Sequence, residues 1–213
     1  TINLLKIKNF DLLDTKPKVV ALIRTSLPYA LLITLMAVFT LIDAVMIGEI
    51  LVDTQTDRYA MCYRLIDAAN MMAALFSGML LPMFARILTD SKAVAQLAAT
   101  ATKVLIIPAI VVALIIAPHT ADLLTLMYAN KTHIIAPGTF TLLGFSFIAS
   151  ASVFVFGTLL TAASKLKVLN KLALTAAISN IVLNFWLIPK MGIQGAALAT
   201  LITQSVFAIF GSY

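Results

Sequence analysis

The chain has 213 residues, of which 62% are hydrophobic and only 11% charged, with a mean hydropathy of +1.04 and a formal net charge of +6. A water-soluble domain of this length covers its surface with about 25% charged residues, so this composition excludes an ordinary soluble globule and points to lipid as the solvent. The single cysteine, Cys62, excludes an intrachain disulfide and a cysteine metal cluster.

The first 24 residues alternate loosely between Ile2, Leu4, Leu5, Ile7 and Phe10 on one side and Lys6, Lys8, Asp11 and Asp14 on the other. This pattern predicts an amphipathic segment lying on the membrane surface, or a plain linker, ahead of a transmembrane lobe over 25–213. The chain opens on Thr rather than Met and has no signal segment, which suggests a fragment of a longer protein.

A helix crossing the hydrocarbon core needs about 20 largely apolar residues. Six stretches qualify, at about 26–48, 59–85, 97–118, 134–164, 168–189 and 192–213. The bilayer core offers no water to free backbone groups, so each must be a helix. The expected fold is all-α: a polytopic membrane bundle of about six transmembrane helices. Pro28 is expected in the first turn of its helix, whereas Pro82 and Pro108 fall inside spans and predict kinks. Leu123, Leu124, Leu126, Met127 and Tyr128 predict a short interfacial helix in the 119–133 link. Trp186, just ahead of Pro189, suits an aromatic anchor at the membrane surface.

If the spans alternate in direction, one side collects Lys6, Lys8, Lys16, Lys18, Arg24, Arg86, Lys92, Lys165, Lys167 and Lys171, and the other only Arg58, Lys131 and Lys190. A Lys/Arg excess marks cytoplasmic loops, so both ends of the segment are expected in the cytoplasm and the acidic link with Glu49, Asp53 and Asp57 outside. The positive charge is spread over several loops, which excludes a nucleic-acid partner.

Charges inside spans cost about 2.5–3.5 kcal/mol each on insertion scales and need a reason. Arg64 and Asp67 stand three residues apart on the second span, with Met71, Ala74, Gly78 and Pro82 continuing that face. Arg64 either offers positive charge to an anionic substrate or closes a packing pair with Asp67 or with Asp43 of the first span. Lys103 of the third span either snorkels to the interface or lines a cavity. Asn180 and Asn184, with Asn70 and Gln204, suit hydrogen bonds between helices, and Gly192, Gly195, Ala196 and Ala199 give the last span a small packing face. His119 and His133 lack metal-ligand spacing, and neither a phosphate loop, a cofactor motif nor a nucleophile–base pair is evident, so an enzyme is not expected.

Three strings carry a family resemblance. SLPYALLITLMAVFTLIDAVMIG resembles the helix that opens the second half of polysaccharide and O-antigen flippases. YAMCYRLIDAANMMAALFSGMLLPMFARIL resembles the next helix with its closing Leu81-Pro82-x-x-Ala85-Arg86. NIVLNFWLIPKMGIQGAALATLITQ is similar to that family's segment, with Asn180, Asn184, Ile188, Pro189, Gly192, Gly195, Ala196 and Ala197 in place. The resemblance covers more than a third of the chain and implies the multidrug/oligosaccharidyl-lipid/polysaccharide exporter superfamily. It implies one lobe of a two-lobe exporter, the second, with a missing N-terminal lobe as partner. It further implies a lipid-linked oligosaccharide as substrate, membrane lipid as surroundings and the bacterial cytoplasmic membrane as location, for cell-envelope polysaccharide or lipopolysaccharide biosynthesis. Substrate contacts are then expected from Arg64 first, Lys103 second, and Asp67 and Asp43 beside them. A drug exporter of the same superfamily would need a free Asp43 or Asp67, and a scaffold subunit would need a dry, filled bundle.

Overall fold

The computed structural model describes residues 16–51, 53–128 and 136–211. Seven α-helices follow one another: α1 Lys16–Ile50, α2 Asp53–Ile87, α3 Ser91–Ile116, α4 Thr120–Met127, α5 Pro137–Ala162, α6 Leu166–Met191 and α7 Ile193–Gly211, with a 3-10 turn at Ala117–His119. Six segments are long and apolar enough to cross a membrane, the short α4 being continuous with the third. The chain is an all-α, multi-pass membrane protein. The short α4 falls in the link where an interfacial helix is expected. The outward side chains agree: Ile33 is 70% exposed, Phe185 73% and Leu126 81%, an apolar surface that only lipid covers at low cost.

Two expectations at the start of the chain need correction. Helix α1 is continuous from Lys16, so the last part of the 1–24 segment is already helix; residues 1–15 lie outside the described residues. Pro28 therefore sits in the helix interior rather than its first turn. A proline there supplies no N–H to the preceding turn. Its own carbonyl accepts a hydrogen bond from Asn170 Nδ2 of α6 at 2.9 Å, which ties the two helices together at that level.

Local chemistry explains the punctuation. Asp90 caps α3, its carboxylate accepting from the N–H of Lys92 at 3.0 Å and of Ala93 at 3.1 Å. Gly192 adopts φ +63° between α6 and α7, a conformation that disfavours a side chain. Gly192 is thus the turn rather than part of the packing face, which consists of Gly195, Ala196, Ala197 and Ala199, all buried. At Gly195 a Cβ would fall 2.4 Å from the Leu187 carbonyl oxygen, so only glycine lets α7 fold back this tightly on α6. Exposed threonines satisfy their hydroxyls on the carbonyl four residues back, as Thr34 does on Ala30 and Thr40 on Met36, both at 2.9 Å.

Two ends of the bundle differ. Where α1 meets α2 and α6 meets α7, here the cap end, one apolar cluster joins Ile47, Tyr59, Cys62, Leu124, Phe140, Leu143, Ile188 and Ala196 from α1, α2, α4, α5, α6 and α7. Toward the opposite, open end, a second cluster joins only α2, α3 and α5, through Leu80, Phe84, Ala98, Ala101 and Val155. There α1 keeps company with α6, and a space is left between α1 and α2.

Candidate functional site

That space is a cavity of about 470 Å³. Leu32, Met36 and Thr40 form the α1 wall, and Tyr63, Asp67, Asn70, Ala74 and Ser77 the α2 wall. Ser150, Phe154, Thr158, Thr161, Leu169, Ala173, Gln204 and Phe207 from α5, α6 and α7 make the floor. Helical spacing puts Tyr63, Asn70, Ala74 and Ser77 on one side of α2, so this wall is a direct consequence of the sequence period. Part of the polar lining is already engaged. Ser150 donates to Asn70 Oδ1 at 3.1 Å, and Ser77 bonds the Phe154 carbonyl at 2.9 Å and the Thr158 hydroxyl, which fastens α2 to α5. The Gln204 amide oxygen is buried without a partner. Asp67 is the one charged residue on the cavity wall.

Arg64 does not line this cavity. It is exposed, as is Asp67, and neither forms an ion pair within 4.0 Å among the described residues; the pair found there is the surface contact His119–Asp122 at 3.9 Å. The expected closed pair of Arg64 with Asp67 or Asp43 is thus replaced by another arrangement, for a geometric reason. The buried face of α2 runs through Tyr59, Cys62, Ile66 and Ala73. At 100° per residue Arg64 lies on the side of α2 opposite that face and Asp67 less far round, which leaves Asp67 at the cavity and Arg64 exposed outside its lining. Lys103 is exposed on the side of α3 opposite Ala98, Ala101 and Ala109, its lobe-facing stripe, and joins neither Asp67 nor Arg64.

Asp43 finds a different setting. It is 2% exposed, in the interior where α1, α2, α6 and α7 meet. Its Oδ2 accepts from the Tyr59 hydroxyl at 2.7 Å and from the Thr200 hydroxyl, and its Oδ1 from Asn184 Nδ2 at 2.6 Å. Asn184 Nδ2 also reaches Asn180 Oδ1 at 3.0 Å, and Asn180 Nδ2 lies 3.5 Å from the Thr203 hydroxyl. Asn184 Oδ1 is left buried with no partner. The knot is built of neutral donors, with no cation in ion-pair contact with the carboxylate among the described residues. The i, i+4 spacing of Asn180 and Asn184 signals its α6 half in sequence. Tyr59, Thr200 and Thr203 were not singled out; the signal available is that Ala196, Thr200, Thr203 and Phe207 fall on one stripe of α7, and all are buried.

Among the described residues no three His, Cys, Asp or Glu side chains gather closely enough to hold a metal ion. Comparison of the chain with family models, with curated proteins and with solved structures finds no match.

Proposed function

We propose that this chain is one lobe of an alternating-access exporter that moves polyprenyl-diphosphate-linked oligosaccharide across the bacterial cytoplasmic membrane, with a second lobe completing the passage. The observation that supports it best is the α2 stripe on which Arg64 and Asp67 stand exposed beside an open cavity. Arg64 lies six residues, about 9 Å, from the midpoint of α2, and Asp67 about 4.5 Å from it. A hydrocarbon core about 30 Å thick takes in both. Charges at that depth face a wet passage or another protein surface rather than lipid chains. The hydroxyls and amides of Thr40, Tyr63, Asn70, Ser150, Thr161 and Gln204 give the cavity the chemistry that hydrogen-bonds sugar hydroxyls, while Arg64, exposed three residues from Asp67 on the same helix, suits a diphosphate.

In this reading the open end, which carries Arg86, Lys92, Lys165 and Lys167, faces the cytoplasm; the Lys/Arg excess there supports that orientation. The Asp43 knot stands at the cap-ward end of the cavity, where it joins four helices.

A second reading, export of a cationic small molecule, is favoured by one fact: Asp67 has no hydrogen-bond or ion-pair partner among the described residues and lines the cavity. The two readings part on a pair of variants in the full-length protein. With lipid-linked sugar as substrate, Arg64→Ala lowers glycan export about tenfold or more at normal abundance, since an ionic contact of about 1.5–3 kcal/mol is lost, and Asp67→Asn is milder. With cations as substrate, Asp67→Asn abolishes efflux of a cationic dye and Arg64→Ala does not. Normal glycan export by Arg64→Ala at normal abundance overturns the first reading.

A further inference from the structure

A second polar cavity, of about 440 Å³, opens at the cap end, away from the passage. Its walls are the first turn of α5, the α6–α7 turn and the start of α2. Two long helices, of 26 and 19 residues, therefore begin at one cavity, and the first N–H groups of a helix have no acceptor of their own. Helix α5 has Ala136 at its N-cap, with no side-chain cap hydrogen bond, and its first residue, Pro137, carries no N–H, so its free amides begin at Gly138. A helix start is not a site by itself, but a second feature is independent of it. Thr139, fully buried in the first turn of α5 and part of the cavity wall, has a hydroxyl with no hydrogen-bond partner. Arg58 brings positive charge to the same wall, and its guanidinium has five N–H donors to share among partners. Gln55 and Gln194 add amides. Gly138 makes room: a Cβ there would fall 2.8 Å from Gln194 Nε2. The acidic Glu49 and Asp57, though near in sequence, are not on the wall.

Donors from two helix starts, an unused hydroxyl and a guanidinium, with no carboxylate on the wall among the described residues, match one ligand chemistry. We infer that the cap-end cavity binds an oxyanion of the phosphate class, either the headgroup phosphate of an anionic lipid at the membrane surface or free phosphate. The site is independent of what the passage carries.

The test uses the purified full-length protein in nanodiscs and follows thermal unfolding. One arm adds inorganic phosphate to phosphatidylcholine discs, with chloride at equal ionic strength as control. The other compares phosphatidylglycerol with phosphatidylcholine discs without phosphate. A ligand at about ten times its Kd raises Tm by about 3–5 °C for a chain of this size. A rise in the first arm identifies free phosphate, and a rise in the second alone identifies the lipid headgroup. In either case Arg58→Gln and Thr139→Val should each remove at least half of the rise, while Arg58→Lys keeps part of it. Because Thr139→Val preserves shape, it reads the site even if Arg58→Gln fails to fold. No rise in either arm, or a rise untouched by Thr139→Val and Arg58→Lys alike, overturns the inference.

Discussion

The Asp43 knot near the cap end and the cavity wall toward the open end treat their polar groups in opposite ways. At the cap end the carboxylate of Asp43 is 2% exposed and takes three hydrogen bonds from three other helices, inside a core that draws on six of the seven helices. Toward the open end Asp67, Asn70, Thr161 and Gln204 face a cavity, and the apolar contacts unite only α2, α3 and α5. The same inventory of side chains thus makes a rigid knot in one place and a ligand-accessible surface in another. Closure decides which: a carboxylate surrounded on all sides, as Asp43 is, takes its hydrogen bonds from protein, and a polar group beside a space can be satisfied by water or substrate.

The sharpest way to break the contrast is at Asp43. Asp43→Leu strands the Tyr59 and Thr200 hydroxyls and the Asn184 amide, and each buried orphan costs about 1–3 kcal/mol. Folded protein should fall below detection in size-exclusion profiles from membranes, whereas Asp43→Asn, which keeps a carbonyl acceptor, should still fold. Retention of a normal profile by Asp43→Leu would show that the knot is not what holds the cap end.

Next in size is the close return of α7. Gly195→Ala places a Cβ 2.4 Å from a backbone carbonyl, and overpacking of this kind costs about 1–3 kcal/mol. Thermal unfolding should begin several degrees lower, and an unchanged Tm would mean that α6 and α7 can part without loss.

The smallest effect is expected at the exposed face of α2. Arg64 is exposed and without an ion pair among the described residues, so Arg64→Ala should move stability by less than about 0.5 kcal/mol. Tm measured beside glycan export separates the two roles. A large fall in Tm would reveal a structural partner for Arg64 and erase the distinction between the two ends.

What could be read along the chain was whatever depends on neighbours in sequence. Length and hydropathy define the six spans because a helix in lipid must satisfy its backbone internally, residue by residue. The amide pair Asn180 and Asn184 and the small face of α7 were legible because helical spacing alone puts such residues on one stripe. Partner choice was not legible. Asp43 meets Asn184 and Thr200 across 141 and 157 residues, and no local rule says which stripe of α6 or α7 turns toward α1. Of the two readings open for Arg64 in sequence, the packing pair with a carboxylate is not formed among the described residues: the rotation of α2, set by packing Tyr59, Cys62 and Ile66 inward, leaves Arg64 exposed on the other side of the helix. The sequence by itself determined that the chain lives in lipid as helices, since that follows from solvent and local hydrogen bonding. Only the tertiary structure decided which polar side chains are locked and which are left facing a space, since that depends on how each helix is turned when the cores close.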